Sequence, residues 1–334
     1  MKQQKVVALT LGSRGAASSR IRAHIPLDHL ESGGLSVTRV IASSKFWPLR
    51  LFFSILLIRP DVVFVQKVMP PRWFLVLSRR MCSRMVFDLD DAIYLGYPGA
   101  SPREVKKIDS RVRGGLVFFD LVLTSNELIR EDLGLGMDPR CIVYPGPSPD
   151  AAFTGVQGDL KEKVVLWLGS PSTISNVESI LPGVVEQLPD VRILIVGSPN
   201  DGPQLGSIRR QRWTTEVESK ALRCSWSGLM PLQVSAWNQR KAGYKILEYL
   251  SYGVVPVVQD SPIVRTLLGR RTSELCELVS GDTPQDWAAA IQRSLDRTTD
   301  QTWIEGRDAV FETWSSVGFS RLIISAKSSG GSFE

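Results

Sequence analysis

Between Trp237 and Gly253 four charged side chains, Arg240, Lys241, Lys245 and Glu248, stand at spacings that could handle a phosphate ester. Gly243 lies among them and opens a run from Tyr244 to Tyr252 whose apolar residues recur at helical spacing. Gly253 falls where a left-handed cap ends a helix, and Pro256 follows closely enough to stop it restarting. The spacing therefore predicts a helix beginning near Gly243 with three cations crowded at its start. The first N–H groups of a helix lack backbone partners and carry the positive end of its dipole, so cations there are unfavourable unless an anion sits among them. A phosphate or diphosphate meets that need. Glu248, one turn on from Lys245, is placed to accept hydrogen bonds from hydroxyls on whatever carries the phosphate.

The elements around these residues are those of a parallel α/β unit. Gly228 to Leu232 and Val254 to Val258 read as buried strands before and after the helix. The stretch GLMPL followed by WNQRKAGYKILEYLSYGVVPVV resembles the donor-binding signature of retaining glycosyltransferases of the family-four, or group 1, class. That resemblance implies a GT-B fold: two Rossmann-like domains with parallel sheets facing across a cleft. It implies that Glu248 holds the ribose of a sugar nucleotide and takes part in the reaction, and that Lys241 and Lys245 hold the diphosphate. The family's usual pair of glutamates, separated by seven residues, is incomplete here, with Arg240 in the earlier position.

A second donor contact is expected at the start of the second domain. KVVLWLGS (Lys163 to Ser170) is a buried strand that empties into the small-residue loop Gly169-Ser170-Pro171-Ser172-Thr173, and Ser175 with Glu178 reads as a capping box behind it. In the resembling family this turn lines the donor pocket, so Gly169, Ser170 and Thr173 join Arg240, Lys241, Gly243, Lys245 and Glu248 as donor-binding candidates. The Arg and Lys that typical members carry shortly after the turn are absent. The basic run Arg209, Arg210 and Arg212 reads as a solvated face.

The first half carries the other chemistry-bearing residues. MVFDLDDAIY (Met85 to Tyr94) is a strand that ends in Asp88, Asp90 and Asp91, where open α/β sheets place their ligands. Three carboxylates in that position could bind a divalent metal or cap a turn and helix. The resemblance adds a third reading, in which D-x-D-D faces the cleft and Asp90 or Asp91 orients the acceptor or the donor sugar. Upstream, KVVALTLG (Lys5 to Gly12) leads into a loop of small residues around Gly15, which lets backbone approach a ligand. Ser18, Arg20 and Arg22 then resemble the S-x-R-x-R opening of the family. Gly15, Arg20, Arg22 and Asp88 are the acceptor-side candidates, and His24 reads as a packed or surface histidine.

Composition bounds these readings. The chain has 334 residues, enough for two domains, with 43% hydrophobic and 22% charged residues. No run approaches the length needed to cross a bilayer, and the apolar start reads as a first strand. Four scattered cysteines and two histidines leave little material for disulfides, metal sites or Ser-His-Asp catalysis. The first 150 residues hold 21 Lys and Arg against 14 Asp and Glu, and the rest hold 19 against 20. A basic first half suits an acidic partner such as an anionic lipid surface or a pyrophosphate-linked acceptor; no nucleic-acid-binding module is recognisable. Phe46 to Pro60 is an apolar helical segment that either packs on the sheet or lies in a bilayer interface.

The expectation is thus an acceptor-side domain over residues 1–152, a sugar-nucleotide domain over 160–315, a segment 316–326 returning to the first, and a disordered tail over 327–334. The resemblance implies transfer of a sugar from a nucleoside-diphosphate sugar to a hydroxyl on a carbohydrate or lipid-linked acceptor, with retention and without metal or cofactor. Surface polysaccharide, glycolipid or glycoconjugate synthesis is the expected setting, in the cytoplasm with peripheral contact at the inner face of the membrane. A sugar-nucleotide epimerase on the same fold and a non-catalytic sugar-nucleotide-binding protein are the alternatives.

Overall fold

Strands with near-continuous apolar runs need cover on both faces, and the chain forms two parallel sheets that each receive it from helices. The structure is a computed structural model and describes residues 3–96, 99–149, 164–199, 206–232, 235–297 and 300–325. The expected tail and the end of the proline-rich stretch after Cys141 lie outside these residues. The chain divides into two units: the first takes Met1–Pro147, Arg240–Ala242 and Trp314–Glu334, the second Ser148–Gln239 and Gly243–Thr313.

The first unit holds strands β1 (Lys5–Thr10), β2 (Ser36–Ile41), β3 (Val62–Gln66), β4 (Arg84–Leu89), β5 (Leu121–Thr124) and β6 (Cys141–Val143), in the order β2-β1-β3-β4-β5-β6. All pair in parallel. Alternate residues Val6, Ala8, Phe64, Val86 and Leu123 pack on one face, where the helix Ser316–Ile324 adds Phe319 and Ile323. The apolar segment expected over Phe46 to Pro60 is the helix Trp47–Ile58, which buries Leu51 and Ile55, one turn apart.

The second unit holds β7 (Val164–Leu168), β8 (Arg192–Val196), β9 (Ile208–Gln211), β10 (Ser227–Met230), β11 (Val255–Gln259) and β12 (Glu277–Val279), in the order β12-β11-β10-β7-β8-β9. This is the doubly wound dinucleotide-binding order, with the winding reversing between β7 and β10. The period of two sends Val165 and Trp167 to one core, with Trp287 and Ile291, and Leu166 and Leu168 to the other, with Leu222 and Tyr249. One local expectation gains a place in the fold and one is corrected. Arg209 and Arg212 are exposed, as a solvated run requires, and Arg209 and Arg210 belong to edge strand β9, whose charges suit a strand with one unpaired side. Ser175 does not cap: it lies inside the short helix Ser175–Glu178, and the capping box is formed by Ser170 and Thr173 around the turn Pro171–Thr173.

Candidate functional site

In the second unit the expected helix runs Tyr244–Ser251. Its end is a Schellman motif: Gly253 has φ of 66°, its N–H donates to the Leu250 carbonyl, and the Val254 N–H donates to that of Tyr249. Its start has Gly243 at the cap position with no side-chain cap and no acidic residue in the first turn. A Cβ on Gly243 would come within 3.0 Å of Leu267, so packing also disfavours a larger residue there. Lys245 Nζ donates to Glu248 Oε2 at 2.5 Å, and the Glu248 side chain is only 6% exposed. A buried carboxylate tied to a cation at an uncapped helix start can share that cation with an incoming anion.

Tyr249, next to Glu248, explains the local geometry. β7 pairs with β10 only as far as Trp167, so the N–H of Leu168 is left without a strand partner where the sheet reverses. The Tyr249 hydroxyl accepts from that N–H at 3.2 Å and donates to the Leu229 carbonyl at 3.0 Å. Gly228 gives the ring room, since a Cβ there would lie 2.6 Å from it. The helix is thereby fixed to both strands that flank the reversal. After β7, Gly169 donates its N–H to the Val196 carbonyl, and a Cβ on Gly197 (φ of 103°) would lie 1.9 Å from the Gly169 carbonyl oxygen. The two glycines let this turn close up, and Ser170, Ser172 and Thr173 present exposed hydroxyls bonded to one another at 2.8 and 3.3 Å.

In the first unit the site begins at a helix that changes register. Ala17–Ser19, the π turn Arg20–His24 and Ile25–Ser32 run on from one another, and the wider turn carries Arg22 inward. Arg22 forks onto Asp88 with bonds of 2.5 and 2.9 Å, donates to the Tyr144 carbonyl at 3.0 Å, and lies 5.1 Å from the Phe319 ring centre. Both partners are shut off from solvent. Burial works against the charge on each, pushing the Asp88 carboxyl up to about 6 against the pull of Arg22, while Arg22 is held above its ordinary value by Asp88. Arg22 and Asp88 therefore brace the helix, β4 and the C-terminal helix rather than face a ligand.

Asp90 and Asp91 have a different setting. Lys67, left-handed at φ of 65° and buried, leaves β3 and places Nζ against Asp91 Oδ2 and 3.4 Å from Asp90 Oδ1. Ser18 donates to Asp90 Oδ2 at 2.5 Å and itself receives from Gln66 Nε2 at 2.9 Å. Asp90 Oδ1 is buried and accepts no hydrogen bond among the described residues. Burial opposes the Asp90 charge, but Lys67, Arg22 and the Ser18 hydroxyl together hold it below the usual carboxylate range. Burial and the neighbouring Asp90 charge push Asp91 upward. Environments that drive two adjacent carboxylates apart suit one to hold charge and the other to exchange a proton. Among the described residues no three acidic, His or Cys side chains are grouped to hold a metal ion.

Lys241 belongs to this edge. Burial lowers its pKa, Asp91 raises it and Lys67 lowers it again; its carbonyl accepts from Asn126 at 3.5 Å. Arg240 is anchored on Asp132, which also accepts from the Tyr94 hydroxyl at 2.6 Å. Arg20 sits half-buried at the opening of the π turn, and Gly15 is exposed in its loop with no close neighbour to demand glycine. His24 is packed, with Nε2 3.1 Å from the Gly12 carbonyl. Sequence reasoning missed Lys67, Gln66 and Tyr249, and named Ser18 only as part of the S-x-R-x-R opening. For Lys67 one signal was available, since it ends the apolar run of β3 at the ligand-bearing edge of the sheet.

No protein-family profile matches the chain, and no curated protein matches it in sequence. In three dimensions it is similar to HepE from Anabaena in complex with UDP and glucose, with a TM-score of 0.66 and 11% identity over 96% of this chain and 98% of that one. It is likewise similar to sucrose-phosphate synthase from Thermosynechococcus elongatus, with a TM-score of 0.68 and 13% identity over 96% and 97%. WaaG, a glycosyltransferase involved in lipopolysaccharide biosynthesis, matches with a TM-score of 0.59 and 11% identity over 96% and 100%. At these identities the likeness is one of fold. The chain has the GT-B fold of two parallel α/β units found in these glycosyltransferases.

Proposed function

We propose that the chain is a glycosyltransferase that moves a sugar from a nucleoside-diphosphate sugar to a hydroxyl acceptor, with retention, in the synthesis of surface polysaccharide, glycolipid or glycoconjugate. The observation that carries this reading is the uncapped start of the helix Tyr244–Ser251, with Lys245 held on buried Glu248. Glu248 accepts from the ribose, Lys245 and the positive end of the helix hold the diphosphate, and the hydroxyls of Ser170 and Thr173 add contacts to the donor. Their charge steadies the leaving diphosphate as the bond to the sugar breaks. On the first unit, Asp91 receives the acceptor hydroxyl, Asp90 fixes Lys67, and Lys241 and Arg20 supply positive charge. The UDP and glucose named in the HepE complex support a sugar nucleotide as the ligand of this fold.

We also infer peripheral contact of the first unit with an anionic membrane. Leu49, Phe53, Leu56 and Leu57 form an exposed apolar stripe along the helix Trp47–Ile58, and Phe52 carries it to Trp73 on the helix Arg72–Met81, ring centres 6.5 Å apart. Neither helix contains an acidic residue, and Lys45, Arg50, Arg59, Arg72 and Arg80 stand exposed around them.

Calorimetry with uridine and UDP, and product analysis with UDP-sugars, test the donor assignment. Lys245→Gln removes the charge and keeps a donor for Glu248; it is expected to leave uridine binding intact and weaken UDP by about 1.5–3 kcal/mol. Glu248→Ala is expected to weaken both. Turnover falls further in Lys245→Gln, because charge on the diphosphate grows in the transition state. Equal losses for both ligands in Lys245→Gln remove the diphosphate role. A product isomerised and not transferred identifies an epimerase, and binding without product identifies a binding protein.

A further inference from the structure

The first sheet reverses its winding between β1 and β3, and loops leaving the two strands at such a point diverge to make a ligand crevice. A cavity of about 640 Å³ lies there, within the range of small-molecule sites. Leu11 leaves β1 to line it, Lys67 to Met69 leave β3, and Ile93 follows β4. The helix Pro102–Leu116 forms the facing wall with Ile108 and Val112, one turn apart. Gly115 lets this wall close on the floor, since a Cβ there would come within 2.3 Å of Met69 Sδ.

The lining contains no Asn, Gln, Ser, Thr, His or aromatic side chain. The neutral hydrogen-bonding side chains and stacking ring that suit a bare sugar are therefore missing from it. What the cavity offers is apolar surface with cations beside it. Lys107 and Arg111, also one turn apart, are exposed on the same helix, and neither is in an ion pair within 4 Å among the described residues. The acidic lining residue, Glu104, is bound to the amide and hydroxyl of Ser101 at 2.8 and 2.7 Å at the helix start and feels the charge of Lys107 without pairing with it within 4 Å. Lys67 is already engaged by Asp90 and Asp91.

We propose that this cavity takes the apolar chain of a phosphorylated amphiphile whose phosphate is held by Lys107 and Arg111. Naming that amphiphile as the acceptor rests on the glycosyl-transfer reading; its binding does not. The chain then lies in the cavity while the head of the molecule reaches the charged edge marked by Lys67 and Asp91.

The test is calorimetry on the full chain with octyl phosphate, octanol and inorganic phosphate, each below any micelle concentration, with UDP titrated into the same samples. Octyl phosphate is expected to bind one per chain, at least about tenfold tighter than octanol or phosphate, as a charge-assisted contact predicts. Charge reversal by Lys107→Glu with Arg111→Glu is expected to weaken octyl phosphate about tenfold or more, and Ile108→Trp to fill the cavity and exclude it. UDP affinity stays unchanged in both variants, and an unchanged circular-dichroism spectrum and urea midpoint show that the first unit folds in them. Octyl phosphate that binds no tighter than octanol, or that ignores the charge reversal, overturns the proposal while UDP binding leaves the donor reading standing. Loss of UDP binding with octyl phosphate retained overturns the donor reading and leaves the cavity site. Neutral vesicles doped with a long-chain prenyl phosphate distinguish the source: their capture by the native chain but not the reversed variant identifies a membrane-borne ligand, and octyl phosphate binding without vesicle capture a soluble one.

Discussion

Arg240 occupies the place of a glutamate in the resembling family, and the structure shows what an arginine does there. It is tied to Asp132, which the Tyr94 hydroxyl also reaches, and this holds Arg240–Ala242 with the first unit and sets Lys241 near Asp91. The hydrogen bond from Arg240, with that from Tyr94, keeps the Asp132 carboxyl below its usual range despite burial. A depressed folded-state value means that the ionised carboxylate stabilises the fold above its unfolded value of about 3.9, and that this stability is lost as pH falls through the lower folded value. Asp132→Asn is therefore expected to lower stability at pH 7 by about 1–3 kcal/mol. Urea titrations across pH check the sign: the gap between the native and variant chains closes below pH about 4. A gap that widens on acidification contradicts the assignment.

At the scale of elements, the proposed donor side depends on how firmly one helix is fixed to the two strands that flank the reversal of the sheet. Tyr249 is buried and satisfies a donor on β7's end and a carbonyl on β10 with one hydroxyl. Tyr249→Phe keeps the ring against Gly228 and leaves both backbone groups buried without that partner. The expected cost is about 1–3 kcal/mol, read as a lower urea midpoint with an unchanged slope. Because Glu248 and Lys245 ride on the same helix, UDP affinity is expected to fall with it, whereas octyl phosphate binding on the first unit is not. An unaltered urea midpoint shows that the hydroxyl contributes nothing net and that the ring alone fixes the helix.

Over the whole molecule the net positive charge lies in the first 150 residues, and the exposed apolar stripe lies in that part too. Among the described residues no helix is long and apolar enough to cross a membrane. Adsorption to a surface is what such a stripe can support, with each nearby Lys or Arg adding about 1 kcal/mol at an anionic leaflet. The chain is expected to float with anionic vesicles at low salt and to be released as salt shortens the reach of its charges. Phe53→Glu with Leu57→Glu, both at positions half exposed or more, is expected to abolish flotation without loss of stability. Flotation that persists in that variant assigns the attraction to charge alone.

The main strands and helices were legible along the chain, because strand and helix periodicities are local. The run from Tyr244, its glycine stop with φ of 66°, and the carboxylates at the end of β4 were all legible from neighbours within a few residues. So was the apolar segment after Phe46, including the choice it left between packing on the sheet and lying in an interface; the helix does bury one stripe and expose another. Which charges face each other depends on how the elements pack. Arg22 finds Asp88 across 66 residues and Arg240 finds Asp132 across 108, so two arginines with a ligand-binding appearance are held by the protein itself. Lys67 enters the site only because strand order sets β3 beside β1 and β4 and a left-handed backbone turns it in. Periodicity carries no information about such pairings, since it fixes which face a residue takes and not which strand lies next to it.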